Sequence, residues 1–190
     1  MKILRARRRS TAAVAVALAA ATVPAVMGSP AFVVASALAL CLLAAAIAVH
    51  DLASLLIPDR YTAGILVVAL ADWWFEASDF AALAWRIGPG GVLMLLLCLF
   101  DVTYGRLRGR DGIGFGDIKL IGVSTVLAGL AGVGAQILLA SVAAFIFSII
   151  RAVRLRRPLR AAARVPFGTF LAPALVIIWA WLPPHGDHIA

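Results

Sequence analysis

Seven apolar stretches, at about residues 11–29, 31–50, 62–78, 83–101, 118–133, 134–150 and 165–182, take up most of this chain of 190 residues. Each is long enough to span, or nearly span, a bilayer core about 30 Å thick as a helix. With 64% hydrophobic and 14% charged residues and a mean hydropathy of +1.04, the chain is far more apolar than an ordinary soluble domain. The expected fold class is all-α, a polytopic membrane protein with short loops and no separate soluble domain.

A net charge of +8 could be a nucleic-acid footprint, but its placement points to membrane orientation. Lys2, Arg5, Arg7, Arg8 and Arg9 precede the first span, and Arg60 follows the second. Arg106, Arg108, Arg110 and Lys119 surround the connection from fourth to fifth, and Arg151, Arg154, Arg156, Arg157, Arg160 and Arg164 lie between sixth and seventh. Only Arg86 falls on the other side. Because cytoplasmic loops carry the excess of Lys and Arg, the N-terminus is expected in the cytoplasm, in an inner-membrane protein with no nucleic-acid partner. Trp73, Trp74, Trp85, Trp179 and Trp181 gather near the opposite face, as an interfacial aromatic belt would. The basic loop at 151–164 is expected to hold anionic lipid headgroups.

Residues 11–29, behind a basic stretch and ending at Gly28-Ser29, also resemble a secretory signal peptide. Retention is expected, because the other six spans carry the same orientation by their own charges. Cys41 and Cys98 each sit alone in an apolar run and read as packing residues. Gly88-Pro89-Gly90-Gly91 is expected to break or kink the start of the fourth span. Gly129, Gly132 and Gly134 are expected to permit a tight outer turn.

Within this apolar background, carboxylates at span ends stand out, because an ionisable group at a membrane boundary is costly and marks a functional site by default. Asp117 lies in Gly114-Phe115-Gly116-Asp117-Ile118-Lys119-Leu120, at the mouth of the fifth stretch. Asp51 closes the second and is followed by Leu56-Ile57-Pro58-Asp59. Both belong to the face that the charges make cytoplasmic. Two such carboxylates can hold a water between them, one ionised to take its proton and one protonated to polarise a carbonyl. No metal or other cofactor is needed, and His50, His185 and His188 offer no metal-ligand spacing. Asp117 begins a helix, where the positive dipole end favours an anion, whereas Asp51 ends one. On that ground Asp117 is the expected base and Asp51 the protonated partner, although a close pair can share its proton.

Gly114 and Gly116 lack Cβ atoms and admit a substrate backbone or another helix. The plainer alternative is a flexible turn with Asp117 as an N-cap. Lys119 is expected to snorkel to phosphates, with substrate contact as the alternative. Asp59 reads as the cap of the third span and a reserve candidate. Asp101 reads as the end of the fourth on the same face, a helix-end carboxylate beside Arg106, with membership of a polar cluster as the alternative. Asp72, Glu76 and Asp79 belong to the outer side. Pro166-Phe167-Gly168 opens the last span, either as a Pro-initiated helix or as a place where a substrate strand pairs with a freed carbonyl.

Three segments together resemble the prepilin peptidases, the GxGD intramembrane aspartic proteases that process type IV pilin-like precursors. These are Asp51 with Ile57-Pro58-Asp59, the Gly114 to Leu120 run, and Pro166-Phe167-Gly168-Thr169-Phe170-Leu171. The resemblance covers about residues 31–182 and implies that Asp51 and Asp117 are catalytic, with Gly114, Gly116, Lys119, Pro166, Phe167 and Gly168 shaping the site. It implies a six-helix core at 31–184, an extra basic N-terminal span at 1–30 and a short outer tail at 185–190. The partner implied is a prepilin or pseudopilin precursor, besides membrane lipids, and a homo-oligomer is compatible with it. Larger members carry a cytoplasmic insert with paired CxxC cysteines and also N-methylate the product. This chain has no CxxC and no loop large enough for a methyltransferase, and is similar to the small, peptidase-only branch of Flp or tight-adherence pili. The competing classes are a small transporter using membrane aspartates and a non-catalytic assembly factor. Against a transporter, no acidic or polar residue was expected to continue the path across the membrane.

Overall fold

The structure, a computed structural model, describes residues 2–76, 79–109, 112–155 and 166–181. Among them the chain forms six helices and no strand: α1 (Lys2–Val26), α2 (Ala31–Ser54), α3 (Asp59–Glu76), α4 (Phe80–Arg108), α5 (Phe115–Leu155) and α6 (Gly168–Trp181). Helices α2, α4 and α5 are long and apolar enough to cross a membrane, while α6 and residues Ser10–Thr22 of α1 are shorter apolar helices. The fold is therefore the all-α polytopic membrane protein expected. Part of the basic loop, the tail at 185–190, Arg110, His185 and His188 lie outside the described residues.

The fifth and sixth apolar stretches are both in α5, which is folded in two at Gly129 (φ 70°, ψ 175°). A positive φ of that kind is open to glycine at little cost. The turn rests on this one residue, since Gly132 and Gly134 remain helical. Before the bend, α5 leaves the end of the bundle that holds Asp51 and runs along α4, with Gly122 beside Met94 and Gly90. After it, the chain runs back along α6, from Gly132 near Ile178 to Gln136, whose Nε2 donates to the Leu171 carbonyl at 2.9 Å.

The Gly88-Pro89-Gly90-Gly91 cluster does not break α4, which stays helical through Pro89. Proline removes the N–H that would bond the Trp85 carbonyl, a loss tolerated in membrane helices when packing and neighbouring groups compensate. Gly90 supplies the packing: a Cβ there would lie 2.7 Å from the Gly122 carbonyl oxygen. The helix also runs on to Arg108, two turns past the end expected at residue 101.

Helix α6 occupies the centre, against α1, α2 and α5. The core joins Leu40, Ala44 and Ile47 of α2, Leu120 and Leu127 of α5 and Leu171, Leu175 and Val176 of α6. Helix α1 is built into this core through Leu18 and Val26, and Trp181 Nε1 donates to the Ala21 carbonyl. Cys41 is packed in the interior, with its sulfur 3.4 Å from Thr22 Oγ1. Of the five tryptophans assigned to a belt, Trp74, Trp85 and Trp181 are exposed, but Trp73 and Trp179 belong to the core.

Candidate active site

Helix α2 ends because Leu55 adopts the left-handed conformation, its N–H closing on the Asp51 carbonyl at 2.8 Å. Asp51 is thereby set in the final turn, and its residue is only 5% exposed. A buried carboxylate demands donors, and α6 provides them. Thr169 N–H reaches Oδ2 at 2.8 Å, and Thr169 Oγ1 lies 3.1 Å from the same oxygen. That hydroxyl has one proton and is also 3.2 Å from the Ala48 carbonyl, so it serves one acceptor or the other. The first N–H groups of a helix have no partner within it. Asp51 caps α6 from another helix.

The chain then crosses from α2 to α3 through Leu55, Leu56, Ile57 and Pro58. His50 Nδ1, within reach of Ser54 Oγ at 2.8 Å and of the Leu56 carbonyl at 3.1 Å, ties the turn to the helix it leaves. Ile57 is buried between the two glycine motifs. A Cβ on Gly116 would lie 3.1 Å from Ile57 Cβ, and one on Gly168 would lie 2.6 Å from Ile57 Cδ1 and 3.1 Å from Asp51 Oδ2. Gly116 and Gly168 are thus glycines because helices α5 and α6 close on the same isoleucine.

Asp117 occupies the first turn of α5. The Gly114 carbonyl accepts the N–H groups of Asp117 at 2.9 Å and Ile118 at 3.1 Å, which makes Gly114 the start of the helix. Asp117 Oδ2 folds back to within 3.3 Å of where a Gly114 Cβ would stand. Asp117 is half-buried and within electrostatic reach of Asp51. The structure thus brings together Asp51, Asp117, Gly114, Gly116 and Gly168 from three helices.

Other expected residues are placed differently. Lys119 does not snorkel away from the protein: its ammonium pairs with Asp59, at the start of α3, and lies over the Phe115 ring at 5.0 Å. Pro166 is buried, and the Phe167 carbonyl is occupied by the N–H groups of Phe170 and Leu171, both at 2.9 Å, so this segment starts a helix as the plainer alternative holds. Asp101, inside α4 rather than at its end, accepts the backbone N–H groups of Gly112 and Ile113, each at 2.9 Å. The interior is also more polar than expected. Ser36 donates to Asp72 at 2.6 Å, Thr125 to the Ile121 carbonyl at 2.9 Å, and Ser124 and Gln136 are fully buried. Among the described residues no cluster of three His, Cys, Asp or Glu could hold a metal.

Sequence reasoning quoted Thr169 and Ile57 within the motifs without giving either a role, and set Asp101 at a helix end. Thr169 stood next to a glycine already singled out, at the first turn of a helix where free N–H groups look for an acceptor. Ile57 had no signal for its packing beyond its place in the motif between Asp51 and Pro58. Asp101 had one: it precedes a glycine-rich loop whose amides need acceptors.

Residues 37–149, which include both Asp51 and Asp117, match the type IV leader peptidase family. Two curated relatives, each named prepilin leader peptidase/N-methyltransferase and from Burkholderia pseudomallei strains 1026b and K96243, are 32% identical over 139 residues. That alignment covers 72% of this chain and 43% of each relative, so the chain spans less than half the length of the relatives it matches. No solved structure matches the chain. With more than half of its residues matched, from the body of α2 to the second limb of α5, this polytopic helical chain belongs to the type IV leader peptidase family.

Proposed function

We propose that this chain is an aspartic endopeptidase that removes the basic leader from a type IV pilin-like precursor at the cytoplasmic face of the inner membrane. The observation that carries the reading is the convergence on Ile57 of Gly116, next to Asp117 in the first turn of α5, and of Gly168, which also lies on Asp51 in the last turn of α2, so that the two carboxylates are within electrostatic reach. Two neighbouring carboxylates that share a proton can activate a water and polarise the scissile carbonyl. Asp51 Oδ2 already serves as acceptor for Thr169, which suits the ionised partner that takes the proton from water. Asp117 then carries the proton toward the carbonyl. This reverses the roles expected from helix ends, because the N-terminal N–H of α6 reaches Asp51 directly and offsets the carbonyl end of α2.

Gly114 is exposed and leaves room for a substrate backbone beside Asp117, whereas Gly116 and Gly168 let α5 and α6 close on Ile57. The distribution of Lys and Arg supports a cytoplasmic N-terminus, and the seating of α1 in the core favours its retention. Cys41 and Cys98 form no CxxC pair, which supports the peptidase-only branch of Flp or tight-adherence pili. Membranes containing the full chain, given a pilin-like precursor and a methyl donor, should yield a shortened product with a free amino terminus, read by mass spectrometry. Asp51→Asn and Asp117→Asn should each lose at least about 1,000-fold in rate at matched abundance, with the double variant no worse than either, as expected of groups that act as a unit. Near-normal cleavage by either single variant would sink the dyad, and donor-dependent methylation would sink the peptidase-only assignment.

A further inference from the structure

Asp101 is a carboxylate from α4, which packs mainly against α5. Helix α4 runs on for two turns beyond it and stops at Gly109, whose left-handed φ of 66° lets its N–H close on the Gly105 carbonyl at 2.8 Å. From Gly112 the described chain lies against the same helix: Gly112 and Ile113 direct successive backbone N–H groups at one oxygen, Asp101 Oδ1, at 2.9 Å each. Gly112 is pressed close to the same surface: a Cβ there would lie 3.0 Å from the Tyr104 ring and 3.4 Å from Asp101 Oδ1. One residue later the Gly114 carbonyl receives the N–H of Asp117, and α5 has begun.

The path from Asp101 to Asp117 is therefore short and bonded at each step: carboxylate oxygen to two amides, those amides to Gly114, and Gly114 to the turn that bears Asp117. A helix start has no preceding turn to fix it, so whatever holds the residues before Gly114 sets where the first turn lies. We infer that Asp101 is a positioning residue for Asp117, acting as an uncharged-tolerant acceptor that anchors the loop from which the Asp117 helix starts. This rests on the reading of Asp117 as catalytic. Oδ1 of Asp101 is filled by the two amides, which leaves it the role of anchor rather than of a third acid. What matters is the acceptor oxygen at that place. Asparagine keeps it; leucine keeps the shape and loses it.

The test uses the full chain in membranes and a pilin-like precursor with a basic leader. Asp101→Leu should lower kcat about tenfold or more, as a displacement near 1 Å at a catalytic group suffices to do, with KM within about threefold of the unsubstituted chain. Asp101→Asn should stay within about threefold in both, since its amide oxygen accepts the same two bonds. Amide hydrogen exchange gives a second readout independent of turnover: Gly112 and Ile113 should exchange at least about tenfold faster in Asp101→Leu and not in Asp101→Asn, with the α2 end unchanged. An Asp101→Leu protein that keeps its kcat and its amide protection overturns the inference. So does an Asp101→Asn protein as impaired as Asp101→Leu, since charge rather than acceptance would then matter. If the unsubstituted chain leaves the precursor uncut, the proposed function fails, and the exchange rates alone decide whether Asp101 anchors the loop.

Discussion

Helices α6 and α4 are both apolar and both carry a proline and small residues, yet they are packed in opposite ways. Nine of the fourteen residues of α6 are buried, whereas in the 29 residues of α4 only Gly90 is. Trp85, Val92, Leu95, Leu96 and Leu99 of α4 all face outward. In a bilayer, lipid tails are as apolar as leucine, so the hydrophobic effect does not separate a core helix from a peripheral one. What separates them is the spacing of small residues, which lets backbones close, and the polar groups that must find partners. Helix α6 meets both conditions at its first turn, where Gly168 lies on Ile57 and Thr169 on Asp51. Helix α4 meets them at two separated points, Gly90 against Gly122 and Asp101 against the loop before Asp117.

The strongest way to break this comparison is to add volume to a glycine in each helix. Gly168→Val should cut processing at least about 100-fold, because even the first added carbon would lie 2.6 Å from Ile57 Cδ1 and 3.1 Å from Asp51 Oδ2, and misplacement of a catalytic group is costly. Gly91→Ala in α4, where nothing lies within 4 Å, should leave processing unchanged. By helix propensity it should even add up to about 1 kcal/mol of stability. Precursor cleavage at matched abundance reads both. Equal effects would mean that α4 is as tightly built as α6.

A smaller and more local effect is expected at Thr169. Replacing it with valine keeps the shape and the N–H bond to Asp51 but removes the hydroxyl that alternates between Asp51 and the Ala48 carbonyl. A hydrogen bond to a charged acceptor contributes about 1.5–3 kcal/mol, so the rate should fall roughly tenfold, and Thr169→Ser should recover most of it. A valine variant at full rate would show that the backbone N–H alone sustains Asp51.

How much of this was legible in the chain follows the same division. The apolar runs predicted the helical membrane fold, and the bend at Gly129 falls inside the fifth run, a turn before the boundary read between the fifth and the sixth. Asp51 and Asp117 were legible as a candidate pair because both stand at span boundaries on one face, and the family resemblance gave that pair its expected role. The partners that hold them were not. Thr169 is separated from Asp51 by more than a hundred residues, and nothing in local sequence tells that α6 will present its first N–H there. Gly88-Pro89-Gly90-Gly91 looked like a break because proline and glycine disfavour an isolated helix. The contact with Gly122 that keeps α4 whole exists only in the packed bundle. Asp101 was misplaced for a related reason: the end of the apolar run was read as the end of the helix, and α4 continues as a polar extension.

The smallest effect is expected at the ion pair of Lys119 with Asp59, and it separates packing at the site from contact with substrate. The Asp59 side chain is 81% exposed and that of Lys119 21%, so the pair lies at the exposed margin of a site in which Asp51 is buried. Exposed pairs contribute about 0.2–1 kcal/mol and are weakened by salt. Asp59→Asn and Lys119→Met should therefore each lower the unfolding midpoint in detergent by no more than a few degrees, as about 1 kcal/mol does, and should slow processing less than about threefold. If the lysine only holds the start of α5 to the start of α3, the double variant should match either single one, because each already breaks the same bond. A Lys119→Met protein that loses far more activity than Asp59→Asn, with KM raised and stability equal, would instead assign the ammonium to the substrate. The margin of the site would then be part of its recognition surface, and the contrast with the buried centre would be one of roles rather than of strength.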